Sequence, residues 1–224
     1  MRQVQDGHVP AIRTGMIALS LGAMTVIVTL FLIAPAMDGM VGIGDHQLDR
    51  PVAQPRTETR PELTPMQRAV ARRTAVRVAA GEVGVRERRG DNRGARINTY
   101  RRATTGPGER AWVPEPWCAD FVSWAWRRAG VPIGFDGRGS DYVPELVAWA
   151  RLTRRWHWAR DGYRPQPGDL IVFKNGGSMR GHIGMVAKVR NGTVYTIEGN
   201  YSDRVGRRSI KAWRPVITGF IAPV

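Results

Sequence analysis

The longest apolar stretch of the chain lies near its N-terminus, where no charged residue occurs between Arg13 and Asp38. A run of this length can span a bilayer, and a buried helix of a soluble domain rarely lacks a polar stripe over so many residues. Residues 15–37 are therefore predicted to insert into a membrane. Two arginines, Arg2 and Arg13, precede the run, which favours a cytoplasmic tail over residues 1–14 and an exported C-terminal body.

This apolar segment has two interpretations, a retained anchor and a cleaved signal peptide. The small residues Ala34-Pro35-Ala36 resemble a cleavage site, and cleavage there would leave Met37 at the mature N-terminus. The run is longer than the usual apolar core of a signal peptide, so the retained anchor is favoured and secretion after cleavage stays open. Residues 38–61 are polar and rich in Gly and Pro, without apolar periodicity, and predict a flexible linker.

Helical periodicity dominates the first half of the remaining chain, residues 62–224. Residues 64–67, Thr-Pro-Met-Gln, have the capping box and early proline of a helix start, and this helix is predicted to stop at Gly81. A Gly-rich loop then leads into a short second helix within residues 84–103. A third helix is predicted from about residue 118 to residue 129, because its apolar positions recur at helical spacing and a glycine follows it.

Strand patterns replace the helical ones after residue 165. Four short segments are rich in β-branched and aromatic residues and are separated by Gly, Asn or Pro, which predicts β-strands. These segments are DLIVF, HIGMVAKV, TVYTIEG and ITGFIAPV. Helices followed by strands predict an α+β domain.

The net charge of +15 is large, but it does not by itself identify the partner of the protein. Such an excess of cations suits a polyanionic partner, such as nucleic acid, anionic lipid or an anionic cell wall. However, lysine occurs only at positions 174, 188 and 211, so the arginine-rich composition is equally explained by a GC-rich genome. The single cysteine excludes an internal disulfide and any multi-cysteine metal site.

That cysteine, Cys118, is also a candidate nucleophile. It lies at the predicted N-terminus of the third helix, where the helix dipole and free backbone N–H groups favour a thiolate and can stabilise an oxyanion. A buried structural cysteine is the alternative. His182 begins a predicted strand on which Ile183 and Met185 share one face, so the imidazole points to the other face and suits a general base. An exposed histidine without a catalytic role is the alternative there.

Two polar residues, Glu198 and Asn200, end the next predicted strand, and their spacing of two places both on one face. One of them is expected within hydrogen-bonding reach of His182, because a catalytic base needs a third group to orient its ring. A two-residue turn at Asn191-Gly192 would put Glu198 on the wrong face. The catalytic hypothesis therefore requires a three-residue loop, or a bulge with the same effect on register, which places Gly184 opposite Glu198.

Six segments occur together in a characteristic order, namely GVRE, NRG followed by Tyr100, PWCADFVSWAWRRAG, PGDLIVF, GHIGMVAKV and IEGN. Over roughly residues 66–200 they resemble the CHAP domain, the cysteine- and histidine-dependent amidohydrolase and peptidase module of bacterial and phage wall lysins. The resemblance implies a papain-like cysteine hydrolase fold, with N-terminal helices packed on a small antiparallel sheet. The whole of residues 62–224 is expected to form this catalytic domain.

The resemblance also implies a reaction and a set of residues. Cys118 would attack an amide carbonyl of peptidoglycan, His182 would be the base, and Glu198 and Asn200 would complete the site. The amide is either the one between sugar and stem peptide or one within the peptides. Some family members hold calcium in an acidic cluster before the cysteine, but this stretch has only two glutamates, at 109 and 115, so no metal and no cofactor are expected.

Peptidoglycan is thus the expected partner, with the membrane as partner of the N-terminal helix, and the positive charge suits anionic cell-wall polymers. A non-catalytic wall- or partner-binding module on the same fold stays open. Loss of one catalytic residue would mark such a module, and all four are present. Nucleic acid is not expected, because the arginines are scattered, no nucleic-acid motif occurs and the body is predicted to be exported.

Overall fold

The computed structural model describes residues 62–106, 113–175 and 178–224. The predicted cytoplasmic tail, membrane segment and linker lie outside these residues. Among the helices of the described ranges, none combines the length and the apolar character that crossing a membrane requires. The described residues form four α-helices and a six-stranded sheet, which confirms the predicted α+β class.

The helices precede the main strands along the chain. They are α1 (Pro65–Gly81), α2 (Ala95–Thr104), α3 (Cys118–Arg128) and α4 (Val143–Leu152). The capping box at the start of α1 is present, since the Gln67 N–H donates to Thr64 Oγ1 at 3.2 Å and the Thr64 N–H donates to Gln67 Oε1 at 2.8 Å. Gly81 is the last residue of this helix, and Glu82 caps it, so the helix extends one residue past the predicted stop.

All six strands pair antiparallel, in the spatial order β1-β6-β2-β3-β4-β5. The strands are β1 (Trp156–Trp158), β2 (Leu170–Asn175), β3 (Ser178–Arg190), β4 (Thr193–Glu198), β5 (Gly206–Lys211) and β6 (Ile217–Ile221). The four predicted strands correspond to β2, β3, β4 and β6. The two additional strands lie at the edges of the sheet, where pairing on one side suffices for a short or polar strand.

Each face of the sheet contributes to a separate apolar core. The larger core lies between the helices and the face that carries Ile183 and Met185, in agreement with the alternation predicted for β3. A smaller core, which includes Phe173 and Val186, covers the opposite face. Because side chains alternate along a strand, His182 and its register partner Phe173 belong to this second face.

The hairpin between β3 and β4 does not have a three-residue loop, which is the first of the two predicted routes to the required register. Arg190 pairs with Thr193, so the loop has only two residues, Asn191 and Gly192. Both have positive φ, 49° and 66°, as a tight hairpin turn of this kind requires. The other predicted route to the same register, a bulge, is confirmed, because the pairing shifts between Val186 and Lys188.

The bulge restores the register that the site needs. Beyond it, Met185 pairs with Ile197. Continuing this register by one residue on each strand brings Gly184 opposite Glu198, as predicted. One extra residue in β3 therefore moves the carboxylate to the face of the sheet that carries His182.

Candidate active site

Cys118 is the first residue of α3, and its side chain is almost buried, with 5% exposure. The first hydrogen bond inside the helix runs from the Phe121 N–H to the Trp117 carbonyl at 3.0 Å. The N–H groups of residues 118–120 therefore have no acceptor within the helix. The helix dipole also adds positive potential at the sulfur. Both effects stabilise a thiolate and a developing oxyanion.

The approach to Cys118 is fixed by Trp117, whose side chain is fully buried. Its indole N–H donates to Glu87 Oε1 at 2.8 Å, and the other carboxylate oxygen of Glu87 accepts from the Asn92 N–H at 2.6 Å. A buried carboxylate between a loop and the residue before the nucleophile fixes the backbone at the start of α3. Glu87 has no predicted role in the sequence analysis, although it belongs to the GVRE segment, which could have directed attention to it.

The imidazole of His182 contacts both expected neighbours. Its Nε2 lies 2.8 Å from Glu198 Oε2, and the Cys118 thiol also hydrogen-bonds the ring. Phe173 stacks on the imidazole with ring centroids 5.6 Å apart and planes inclined by 26°. The ring is therefore held by the carboxylate at Nε2 and by Phe173 on one face.

The environment of His182 favours the imidazolium. Burial lowers the pKa of the imidazole, but the hydrogen bonds and charges of Cys118 and Glu198 outweigh it and raise the pKa from 6.5 to about 9. At neutral pH the ring therefore carries its proton. An imidazolium beside a thiol favours the thiolate, which is the nucleophilic form.

Glu198 is fully buried, and polar groups surround its carboxylate. Oε2 contacts His182, and Oε1 accepts a short hydrogen bond from the Thr196 hydroxyl. The guanidinium of Arg208 lies 3.8 Å from Oε2. These partners satisfy the buried carboxylate and fix its orientation towards the imidazole. Thr196 and Arg208 are not among the predicted site residues; the spacing of two between Thr196 and Glu198 on one strand was the available signal.

The space for the Glu198 side chain is provided by Gly184. A Cβ at position 184 would lie 2.5 Å from Glu198 Cγ, closer than any real contact of this type. Only glycine therefore permits the carboxylate to cross β3 towards His182, as the register prediction anticipated.

Asn200 occupies a different position from Glu198. Its backbone has a left-handed φ of 55°, which turns the chain after β4. Its amide lies 3.1 Å from Asn92 Oδ1, and the opposite amide orientation lets its nitrogen donate to Glu87 Oε1 at 3.1 Å and its oxygen accept from the Trp117 N–H at 3.3 Å. Within the described residues, Asn200 thus contacts the loop before α2, whereas Glu198 contacts His182.

A cavity of about 400 Å³ opens beside Cys118. It is lined by Glu115, Pro116, Cys118, Asp141, Tyr142, Val143 and Gly181. Its volume suits part of a peptide or a small ligand. Within the described ranges, no three side chains of the types that ligate metals cluster together.

Residues 110–200 match the family model of the CHAP domain. This part of the chain is therefore similar to the CHAP domain. The matched residues include Cys118, His182, Glu198 and Asn200, whereas α1 and α2 precede the match and β5 and β6 follow it.

Two solved structures resemble this part of the chain and its flanking elements. The peptidoglycan hydrolase RipB from Mycobacterium tuberculosis shares 16% identity, with a TM-score of 0.42, over 71% of this chain and 67% of that one. The protein Ly7917 shares 17% identity, with a TM-score of 0.37, over 67% of this chain and 61% of that one. The chain thus spans about two thirds of each relative. Among curated proteins, none matches the chain.

Proposed function

We propose that this domain hydrolyses an amide bond of peptidoglycan through a thioester on Cys118. The observation that carries the proposal is the His182 imidazole, which contacts the Cys118 thiol and lies 2.8 Å from the buried Glu198 carboxylate. A nucleophile, a base and a group that orients the base are the arrangement required for nucleophilic acyl transfer. An antiparallel sheet that brings the base to a helix carrying the nucleophile also supports the papain-like description of the fold.

In the first step, the Cys118 thiolate attacks the carbonyl carbon, and a carbon–sulfur bond forms. The N–H groups at the start of α3 stabilise the negative charge on the carbonyl oxygen. The carbon–nitrogen bond then breaks, and the proton of the His182 imidazolium moves to the departing amine. Glu198 keeps the ring in the orientation that allows this transfer.

In the second step, water attacks the thioester carbon. Neutral His182 accepts a proton from the water, the carbon–sulfur bond breaks and a carboxylic acid leaves. The thiolate and the imidazolium are restored. In this sequence Asn200 acts as a positioning residue, because it contacts the loop that leads to Cys118 and not the imidazole.

The choice of peptidoglycan is supported by the match to the CHAP domain and by the predicted export of the body. The amide is either the muramoyl–alanine bond or a peptide bond of the stem.

The test is hydrolysis of purified peptidoglycan by the full-length protein, followed by mass analysis of the products. A free lactyl carboxylate with a new alanine N-terminus identifies an amidase, and a new amine within the stem identifies an endopeptidase. If the wild-type protein binds the polymer and releases neither product, the proposal is wrong and the chain is a binding module.

A further inference from the structure

A second cavity, of about 460 Å³, opens where β1, β2 and β6 meet the loop between β5 and β6. It shares no lining residue with the cavity beside Cys118. Its lining combines tryptophan and cationic side chains, and it includes Trp158, Arg160, Lys174, Trp213 and Arg214. This combination has no role in the reaction proposed above.

The most exposed aromatic residue of the lining is Trp213, at 72% exposure. It lies on a turn held by two backbone hydrogen bonds, from the Arg214 N–H to the Lys211 carbonyl at 3.1 Å and from the Ile217 N–H to the Arg214 carbonyl at 3.0 Å. Trp213 and Trp158 line the same cavity, so together they offer an aromatic surface to a ligand. The flat apolar face and N–H of an indole suit a ligand that is apolar on one side and polar at its edge, such as a sugar ring.

Within the described residues, no cation of the lining forms an ion pair with a carboxylate closer than 3.8 Å. The side chain of Arg160 is 77% exposed, lies 4.8 Å above the Trp158 ring and approaches a carboxylate only at 3.8 Å, from Asp161. Lys174 and Arg214 are also exposed. None of the residues that line the cavity is acidic. A concave surface whose charged residues are all cations attracts anions more strongly than the same charges on a flat surface.

We propose that this cavity binds an anionic polysaccharide, with a sugar ring against Trp213 and a carboxylate or phosphate of the same polymer at Arg160, Lys174 and Arg214. The net charge of +15 favours such a partner over the whole molecule. A membrane surface is the competing anionic partner for an exposed tryptophan with basic neighbours. The concave shape favours a polymer segment, because a bilayer cannot enter a cavity.

The test measures binding of the full-length protein, in a non-ionic detergent, to fluorescently labelled polygalacturonate by anisotropy. The double variant Arg160→Gln/Lys174→Gln is compared with Arg73→Gln/Arg77→Gln, which removes the same charge from exposed positions on α1. The cavity pair should weaken binding at least roughly tenfold and the control pair less than about threefold, since close ionic contacts outweigh the general field. Equal losses in the two variants would overturn the proposal.

A second comparison tests the sugar contact. Trp213→Ala should weaken binding roughly tenfold, Trp213→Phe should restore part of the loss, and Leu152→Ala, which removes another large exposed side chain at 76% exposure, should leave binding unchanged. Inorganic polyphosphate of matched charge and neutral dextran should each bind more weakly than polygalacturonate. If polyphosphate binds as tightly as polygalacturonate, and if Trp213→Ala does not weaken its binding, sugar recognition is overturned. Binding to anionic phosphatidylglycerol vesicles, but not to polygalacturonate, would assign the cavity to the membrane.

Discussion

Cys118 lies at the start of α3 with little exposed surface, and its sulfur contacts His182. Cys118→Ala removes the nucleophile but only one heavy atom from the core. We expect peptidoglycan hydrolysis to disappear while the free energy of unfolding changes by about 1 kcal/mol or less. Iodoacetamide should label and inactivate the wild-type protein and leave the variant unlabelled. Retained hydrolysis in the variant would contradict the assignment of the nucleophile.

The carboxylate of Glu198 helps to hold the pKa of His182 at about 9. Because it raises that pKa, removing its charge must lower it, so the imidazolium is lost at a lower pH. We expect Glu198→Gln to reduce kcat/KM on peptidoglycan at least tenfold and to move the alkaline decline of its pH profile, near pH 9 in the wild type, towards neutral pH. The measurement is the pH dependence of kcat/KM.

The matched control is Glu145→Gln, which removes a carboxylate that accepts from the Ser140 hydroxyl at 2.5 Å and is not among the groups that shift the pKa of His182. Its alkaline decline should coincide with that of the wild type. An unchanged pH profile in Glu198→Gln would contradict the role of Glu198 as the group that orients His182 and raises its pKa.

Sequence reasoning at the residue scale succeeds where the local pattern carries the geometry. The helix start predicts the setting of Cys118, and strand alternation predicts the face of His182. Glu198 and Asn200 are not distinguished, because a spacing of two on a strand gives both the same face. Their separation depends on the left-handed backbone of Asn200 and on its contacts with Asn92, a residue more than a hundred positions away. No local pattern encodes such a contact.

At the scale of elements, the β3–β4 pair depends on Gly184. A Cβ there would meet Glu198 Cγ at 2.5 Å, so Gly184→Ala should push the carboxylate away from His182. We expect kcat to fall at least roughly tenfold and the unfolding free energy to fall by about 1–3 kcal/mol, as for overpacking in a core. The control is Gly81→Ala, where an added Cβ would meet no neighbouring atom within 4 Å. The helix should tolerate or prefer alanine there. Wild-type kcat in Gly184→Ala would show that the close approach is not required.

The first turn of α3 contains a buried carboxyl, Asp120, which makes the stability of the fold depend on pH. Burial raises its pKa from 3.8 to about 7, against the opposing hydrogen bond from Thr104. The folded state thus binds this proton more tightly than the unfolded state, so stability falls as pH rises from about 4 to 7 and stays low above that. We expect the unfolding free energy of the wild type to drop by up to about 4 kcal/mol over this range.

Asp120→Asn should lack this drop, because asparagine does not titrate. The measurement is urea unfolding at pH 4.5 and pH 8, with the exposed Asp161→Asn as control, which should keep the wild-type pH dependence. Parallel pH dependences for wild type and Asp120→Asn would contradict the raised pKa.

The elements that the sequence predicts are those with strong patterns, namely the three N-terminal helices and the strands β2, β3, β4 and β6. The short strand β1 is missed because three residues, Trp-His-Trp, show no period. The edge strand β5 is missed because three consecutive polar residues, Arg207, Arg208 and Ser209, interrupt its apolar pattern. The bulge in β3 lies between Val186 and Lys188, where residues with ordinary strand propensity give no local signal, so only the requirement that Glu198 reach His182 points to it.

At the scale of the whole molecule, the proposed hydrolysis requires the domain of residues 62–224 to reach the wall, and the sequence predicts that residues 1–61 provide the route. The apolar run at 15–37 is long enough for a span, and the arginines before it predict a cytoplasmic N-terminus. We expect the full-length protein to sediment with membranes, to resist carbonate extraction, and to be released into the periplasmic or culture fraction only when residues 15–37 are replaced by a cleavable signal sequence.

The orientation of this anchor has its own test, which also separates it from a signal peptide. Protease added to intact spheroplasts should digest the body that carries Cys118, while a cytoplasmic marker protein survives until the cells are lysed. N-terminal sequencing of the mature protein should begin at or near Met1, because the apolar run exceeds the core of a signal peptide. A mature N-terminus at Met37 would show that cleavage follows Ala34-Pro35-Ala36 and that the enzyme is released. Retention at the wall would then depend on its polymer-binding surfaces, which makes the cavity at Trp213 the element whose loss should move the protein from the wall to the medium.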